Sequence, residues 1–185
     1  MTRAVVLSLL VAASCGCRSQ STPSGERIPA TTGELKLDGE LGEPDWSAHA
    51  LRHVLAGPDG GKARPFSETS FLHDKTYLYV GLYAADENIQ SGEFFDVHIG
   101  ALAFHANATG TVTPEIQGAK ASIDRDGTLD DPSNDDEEWV LELAIPLQAT
   151  GFAPGVSQIV TVKRCDTPKD HIERCGTWSG RVALE

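Results

Sequence analysis

Residues Ile123–Pro146 read IDRDGTLDDPSNDDEEWVLELAIP, an acidic stretch that runs directly into an alternating apolar strand and stops at proline. Side chains alternate across an extended chain, so Trp139, Leu141, Leu143 and Ile145 line one face and Val140, Glu142 and Ala144 the other. Pro146 has no N–H to donate and ends the pairing. The same period of two recurs along the chain. Phe71–His73, a turn at Asp74-Lys75 and Tyr77–Ala84 predict a hairpin. In its second strand Leu78, Val80 and Leu82 face one way and Tyr77, Tyr79 and Tyr83 the other, which marks a central strand. Phe95, Val97 and Ile99 alternate with Phe94, Asp96 and His98, giving one core face and one polar face. Ile159, Thr161 and Lys163 alternate with Val160, Val162 and Arg164, and Arg181–Leu184 suffices for a last short strand. Only Ala48–Leu55 invites a helical reading. Short strands divided by Gly, Pro, Asp and Asn turns predict an all-β fold, an antiparallel β-sandwich of jelly-roll-like kind with at most one short helix.

The acidic stretch holds Asp124, Asp126, Asp130, Asp131, Asp135, Asp136, Glu137 and Glu138, with Arg125 alone to offset them. Such a run is either a solvated face or a site for a hard cation. Asp124, Asp126 and Asp130 around Gly127 offer the oxygen ligands that calcium takes, and they are the candidate calcium ligands of the sequence. The loop does not fit an EF-hand, because Gly127 arrives two residues early.

Residues 1–17 carry an export address: Arg3 precedes an apolar run, Ala4–Ala13, broken only by Ser8, and small residues lead into Cys15 and Cys17. That run falls short of the roughly 18 residues needed to span a bilayer. Ala12-Ala13-Ser14-Cys15 resembles a bacterial lipobox, making Cys15 the candidate lipidated residue and Cys17 its competitor. With no aspartate directly after either cysteine, the expectation is an outer-membrane or cell-surface lipoprotein, otherwise a periplasmic protein. Residues 18–32 read as a Ser/Thr/Pro/Gly tether and residues 33–185 as one domain. The net charge of −12 and pI near 4.8 repel phosphate backbones, which excludes nucleic acid as a partner. Cys165 and Cys175 suit a disulfide in an exported setting, with two free thiols as the alternative.

Several segments together resemble the family 9 carbohydrate-binding modules. Leu37-Asp38-Gly39-Glu40-Leu41-Gly42-Glu43-Pro44-Asp45-Trp46 is similar to that family's opening DG-x-L-x-EP-x-W segment. His73-Asp74-Lys75-Thr76-Tyr77-Leu78-Tyr79-Val80 resembles its acidic turn and Leu-Tyr-Val strand, closed by Ala85-Asp86. Glu93-Phe94-Phe95-Asp96-Val97-His98-Ile99 resembles a strand with two acids, and Trp139–Pro146 its Trp-x-x-Glu-x-x-Ile-Pro strand. The resemblance covers about Leu35 to Trp178. It implies a non-catalytic module that clamps a sugar ring between aromatic side chains while polar groups bond the hydroxyls, the division of labour that a sugar's apolar C–H faces and polar rim call for. Trp178 would be one aromatic wall, and Asp86, Asp96 and Arg164 the polar contacts. Ile89-Gln90-Ser91-Gly92 stands where sugar-binding members carry a second tryptophan.

No G-x-S-x-G elbow, H-E-x-x-H pair, P-loop or dinucleotide fingerprint occurs, so no enzymatic activity is expected. Haem is not expected either. The sole methionine is Met1, which removes a His/Met axial pair, and His98 and His105 form at most a pair of histidines. Two functions therefore stand: a glycan or polysaccharide-end binder displayed at the cell envelope, or a module of the same fold that has lost sugar binding and serves a structural or protein-interaction role.

Overall fold

The computed structural model describes residues 25–33, 35–166 and 172–185. The export address, with Cys15 and Cys17, and the first part of the tether lie outside the described residues. No helix among the described residues is long and apolar enough to cross a membrane.

Two sheets pack face to face. The five-stranded sheet runs β2 (Leu51–Val54), β3 (Ser67–His73), β4 (Tyr77–Ala85), β9 (Glu138–Pro146) and β8 (Lys120–Asp126). The six-stranded sheet runs β1 (Glu26–Ile28), β11 (Arg174–Leu184), β10 (Ser157–Asp166), β5 (Phe94–Ile99), β6 (Leu102–Asn107) and β7 (Val112–Thr113). Among the described residues every pairing of these strands is antiparallel except β1 with β11, just beyond which an isolated parallel bridge joins Ala30 to His73. The expected β-sandwich is therefore present, with one parallel pair at an edge.

The alternation read in the sequence sets what goes inside. Leu78, Val80 and Leu82 of β4, Leu141, Leu143 and Ile145 of β9, Phe95, Val97 and Ile99 of β5, and Val160 and Val162 of β10 share one core between the sheets. Each large apolar side chain removed from water in this way contributes about 1.5–3 kcal/mol. The central strands β4 and β9 are buried on both faces because residues 35–46 cross the outside of the five-stranded sheet. There Leu35, Trp46, Leu72, Tyr79 and Ala144 make a second, smaller core. Gly81, in the middle of β4, leaves the space that the Leu41 side chain fills; a Cβ there would lie 2.6 Å from Leu41 Cδ2.

Glu142 holds this outer segment down. It is fully buried, and Oε2 accepts hydrogen bonds from the backbone N–H groups of Asp38 (2.8 Å) and Gly39 (2.7 Å), while Oε1 accepts from the Trp46 indole N–H (2.7 Å). Gly39 has φ +98° and lies against the β8 backbone, a position that only glycine fills without strain. The family-like DG and Trp residues thus serve the fold, by closing three buried donors on one carboxylate.

Four expectations need correction. Residues 51–54 of the suspected helix Ala48–Leu55 are strand β2, because this alternating run pairs with β3; the helical turn lies earlier, in α1 (Pro44–Ala48), begun by a proline whose missing N–H costs nothing there. A second short helix, α2 (Leu147–Thr150), follows β9 and ends at left-handed Gly151, so the described residues hold two helices rather than one. The tether does not extend to residue 32: Ile28, the one large apolar residue of that region, is buried, and β1 adds to β11. The acidic loop starts later than the sequence suggested, since Asp124 and Asp126 belong to the edge strand β8.

Candidate functional site

Arg164 and Asp86 come together, but in the interior. Arg164 shares the inward parity of Val160 and Val162 on β10 and is 2 % exposed. Its Nη2 donates to Asp86 Oδ2 at 2.7 Å, and its Nη1 to the Ala85 carbonyl (3.0 Å) and Ser67 Oγ (3.3 Å). Its guanidinium lies 5.9 Å from the centroid of the Trp139 ring. Two further acids face it: Glu93, one residue before β5, and Asp166, the last residue of β10, with oxygens 3.5 and 3.4 Å from Nη2. Burial first, then the carboxyls of Asp86 and Asp166, push the Glu93 carboxyl well above the usual range. The assignment of Asp86 and Arg164 as sugar contacts is corrected accordingly. Both are enclosed by the sandwich and bonded to each other.

Trp178 also points inward. On β11 it has the parity of Val182, and its ring stacks on His53 of β2 at 4.0 Å between centroids and 13° between planes, with Phe71 beside it at 5.7 Å. Gly180 leaves room for the ring, since a Cβ there would lie 2.6 Å from Trp178 Cζ2. The partly buried ring fills the gap between β11 and the β2–β3 end of the other sheet, so it is not an open platform.

Asp96 alone of the four predicted sugar contacts faces outward. On the outer face of the six-stranded sheet its Oδ1 lies 3.3 Å from His98 Nε2 and 3.5 Å from His105 Nδ1. His105 stands directly across from it on β6, and Lys163 across on β10. Phe94, two residues before Asp96, sits edge-on to His105 at 4.8 Å and is 42 % exposed, an aromatic ring held at the surface beside a carboxylate and two imidazoles. In the sequence Asp96 stands as a candidate contact, Phe94 and His98 share its polar face, and His98 and His105 form a pair; only the fold joins the four into one surface site.

The acidic loop uses its carboxylates internally. Asp136 Oδ2 accepts from the Ile89 N–H and its Oδ1 from the Thr128 N–H, both at 2.8 Å, and Asp130 Oδ1 accepts from the Ser91 N–H at 2.9 Å. These bonds tie the loop to the connection between β4 and β5. Asp124, Asp126 and Asp130 are exposed, and none belongs to a group of three potential metal ligands with converging atoms among the described residues. Cys165 and Cys175, directly opposite each other on β10 and β11, form the expected disulfide. Two surface clefts, of about 930 and 780 Å³, lie elsewhere, the larger beside His73, Thr31 and Phe152 and the smaller beside Lys62, Arg64 and Cys175. Neither is lined by Trp178, Asp86, Asp96 or Arg164.

The architecture is that of the family 9 carbohydrate-binding modules. A module of that family from Caldicellulosiruptor kristjanssonii in complex with cellotriose superposes with a TM-score of 0.61 at 12 % identity, over 86 % of this chain and 94 % of that one. A family 9 module from the same organism in complex with glucose gives 0.61 at 13 % identity, over 86 % of this chain and 96 % of that one. A structure from Bacteroides uniformis, whose description proposes a carbohydrate-binding protein, gives 0.55 at 14 % identity, over 88 % and 100 %. No protein-family model and no curated protein matches the sequence. At such identity the likeness establishes the fold.

Proposed function

We propose that this chain is a non-catalytic glycan-binding module displayed at the cell envelope, with its sugar contacts on the outer face of the six-stranded sheet. The observation that carries the reading is the exposed Phe94 ring beside Asp96, His98 and His105. An aromatic ring offers a sugar's C–H face an apolar partner, and a carboxylate with two imidazoles supplies acceptors and donors for its hydroxyls. The shared fold supports this, since structures of that architecture hold cellotriose and glucose. The export address and lipobox-like Cys15 support display at an envelope, reached through a short tether before β1. An open sheet face with one aromatic wall suits shallow contact along a chain, and the modest affinity that goes with it, rather than enclosure of a chain end.

A second reading is favoured by one observation. Asp86 and Arg164 are committed to the interior and the Trp178 ring is partly buried against His53 and Phe71, which suits a module that kept the fold for structural or protein-interaction use. A glycan array followed by calorimetric titration decides between them. Binding to a glycan that falls at least tenfold in Asp96→Asn, with unchanged melting temperature, supports the glycan-binding module. Absence of binding across the array supports the second reading.

A further inference from the structure

We propose that the glycan met by the outer face of the six-stranded sheet is an acidic one, a polysaccharide carrying carboxylates on uronic acid units along its chain. The inference rests on the glycan-binding reading above and names the class of sugar. It starts from a contrast in charge. The whole chain has 27 acids against 15 lysines and arginines. On the outward-facing positions of β5, β6, β10 and β11, however, Asp96 is the only acid, and Lys163 and Arg181 share the face with His98 and His105. Asp96 is turned to the two imidazoles, its Oδ1 3.3 Å from His98 Nε2 and 3.5 Å from His105 Nδ1. Glu173, just before β11, lies against Cys175 Sγ at 3.9 Å. Among the described residues neither Lys163 nor Arg181 has a carboxylate within salt-bridge distance, although Lys163 is paired with Asp96 across the strands; Arg181 donates one hydrogen bond, to Ser157 Oγ at 3.2 Å.

Each of these cations has an exposed apolar side chain for a neighbour. Phe94, 42 % exposed, lies opposite Cys165, two residues along β10 from Lys163, and Ile159, 46 % exposed, lies directly opposite Arg181. A uronic acid unit presents the matching features, apolar C–H faces and a carboxylate on its rim. In the row between the two pairs stand the hydroxyls of Thr161 and Ser179, 2.8 Å apart, which can bond those of a sugar. Lys163 and Ile159, the partner of Arg181, are about 14 Å apart along β10, so one sugar cannot reach both cations and a chain can. The acidic remainder of the surface repels dense polyanions such as nucleic acid, and leaves a glycan with at most one carboxylate to a sugar as the anion that suits this face.

The test is calorimetric titration of the chain with hexasaccharides of galacturonic, mannuronic and glucuronic acid, each beside the neutral form in which its carboxylates are reduced to alcohols. A surface ion pair is worth about a two- to fivefold gain in affinity, so at least one acidic hexasaccharide binds about four- to twentyfold tighter than its reduced form. That preference shrinks as sodium chloride rises from about 50 to 200 mM. Lys163→Gln and Arg181→Gln each weaken binding of the acidic form about two- to fivefold, and leave the reduced form's affinity and the melting temperature unchanged, since both side chains are exposed. Equal or tighter binding of the reduced forms, or binding of neutral array glycans with none of the acidic ones, overturns the acidic assignment and leaves the glycan-binding reading standing. A preference for the acidic form that neither variant diminishes puts the carboxylates elsewhere and overturns the proposal. Absence of binding to every acidic, reduced and array glycan overturns both.

Discussion

Trp46→Phe removes one of the three donors on the buried Glu142 carboxylate and leaves its two backbone donors in place. A hydrogen bond to a charged acceptor is worth about 1.5–3 kcal/mol, and the lost indole area adds to it. Against a domain stability of about 5–15 kcal/mol the change is large. For a domain of this size it corresponds to a fall in melting temperature of about 3–12 °C. Burial pushes the Glu142 carboxyl up, while the Gly39, Asp38 and Trp46 N–H groups pull it down, so the three donors decide how well the ionised group is tolerated. The assay is urea unfolding of residues 18–185, for the single variant and in a Glu142→Gln background. Without the charge the same substitution costs about 1 kcal/mol less, because a neutral hydrogen bond is worth about half a charge-assisted one. A cost below about 0.5 kcal/mol, or an equal cost in both backgrounds, would refute the claim that Glu142 anchors the outer segment.

Three further outcomes follow from the structure. Reducing the Cys165–Cys175 disulfide, or replacing both with serine, lowers stability by about 2–3 kcal/mol, the value for closing a loop with a separation of 10 residues; urea unfolding with and without reductant checks it. The Thr32 hydroxyl, with the Thr32 and Gly33 N–H groups, holds the Asp45 carboxyl below its usual 3.8 despite burial. A lowered folded value gives stability that is full above about 3.8 and lost as pH falls through the folded value, so thermal scans from pH 6 to 2 show Asp45→Asn destabilised at neutral pH and converging on the unaltered chain in acid. Trp178→Ala opens a hole between Phe71 and His53 and costs about 3 kcal/mol by thermal or urea unfolding, with glycan affinity unchanged.

Strand alternation made the sandwich legible, because period-two burial is a local property that the chain declares residue by residue. It also held a signal for the interior cluster that the sequence analysis did not read. Arg164 has the parity of Val160 and Val162, Glu93 that of Phe95 and Val97, and Asp166 that of Arg164, so three charged residues on apolar faces marked a buried cluster. The resemblance drew Asp86 and Arg164 toward solvent instead. Two things were not legible. The covering of β9's second face depends on residues 35–46 crossing the sheet, a long-range contact that leaves Val140, Glu142 and Ala144 looking like a solvent side. The orientation of Trp178 depends on His53 from the opposite sheet, which no pattern near Cys175-Gly176-Thr177 predicts. The parallel addition of β1 was hidden for a related reason: a single buried isoleucine in a polar segment is too little signal to mark a strand.

The central claim is that glycans meet this protein at the Phe94 and Asp96 face rather than at Trp178. The most direct measurement is calorimetric titration of the best array glycan into the unaltered chain, Phe94→Ala and Trp178→Ala. Loss of binding in Phe94→Ala at unchanged melting temperature, with affinity retained in a destabilised Trp178→Ala, is the predicted result. Full binding in Phe94→Ala together with its loss in a still folded Trp178→Ala would contradict it.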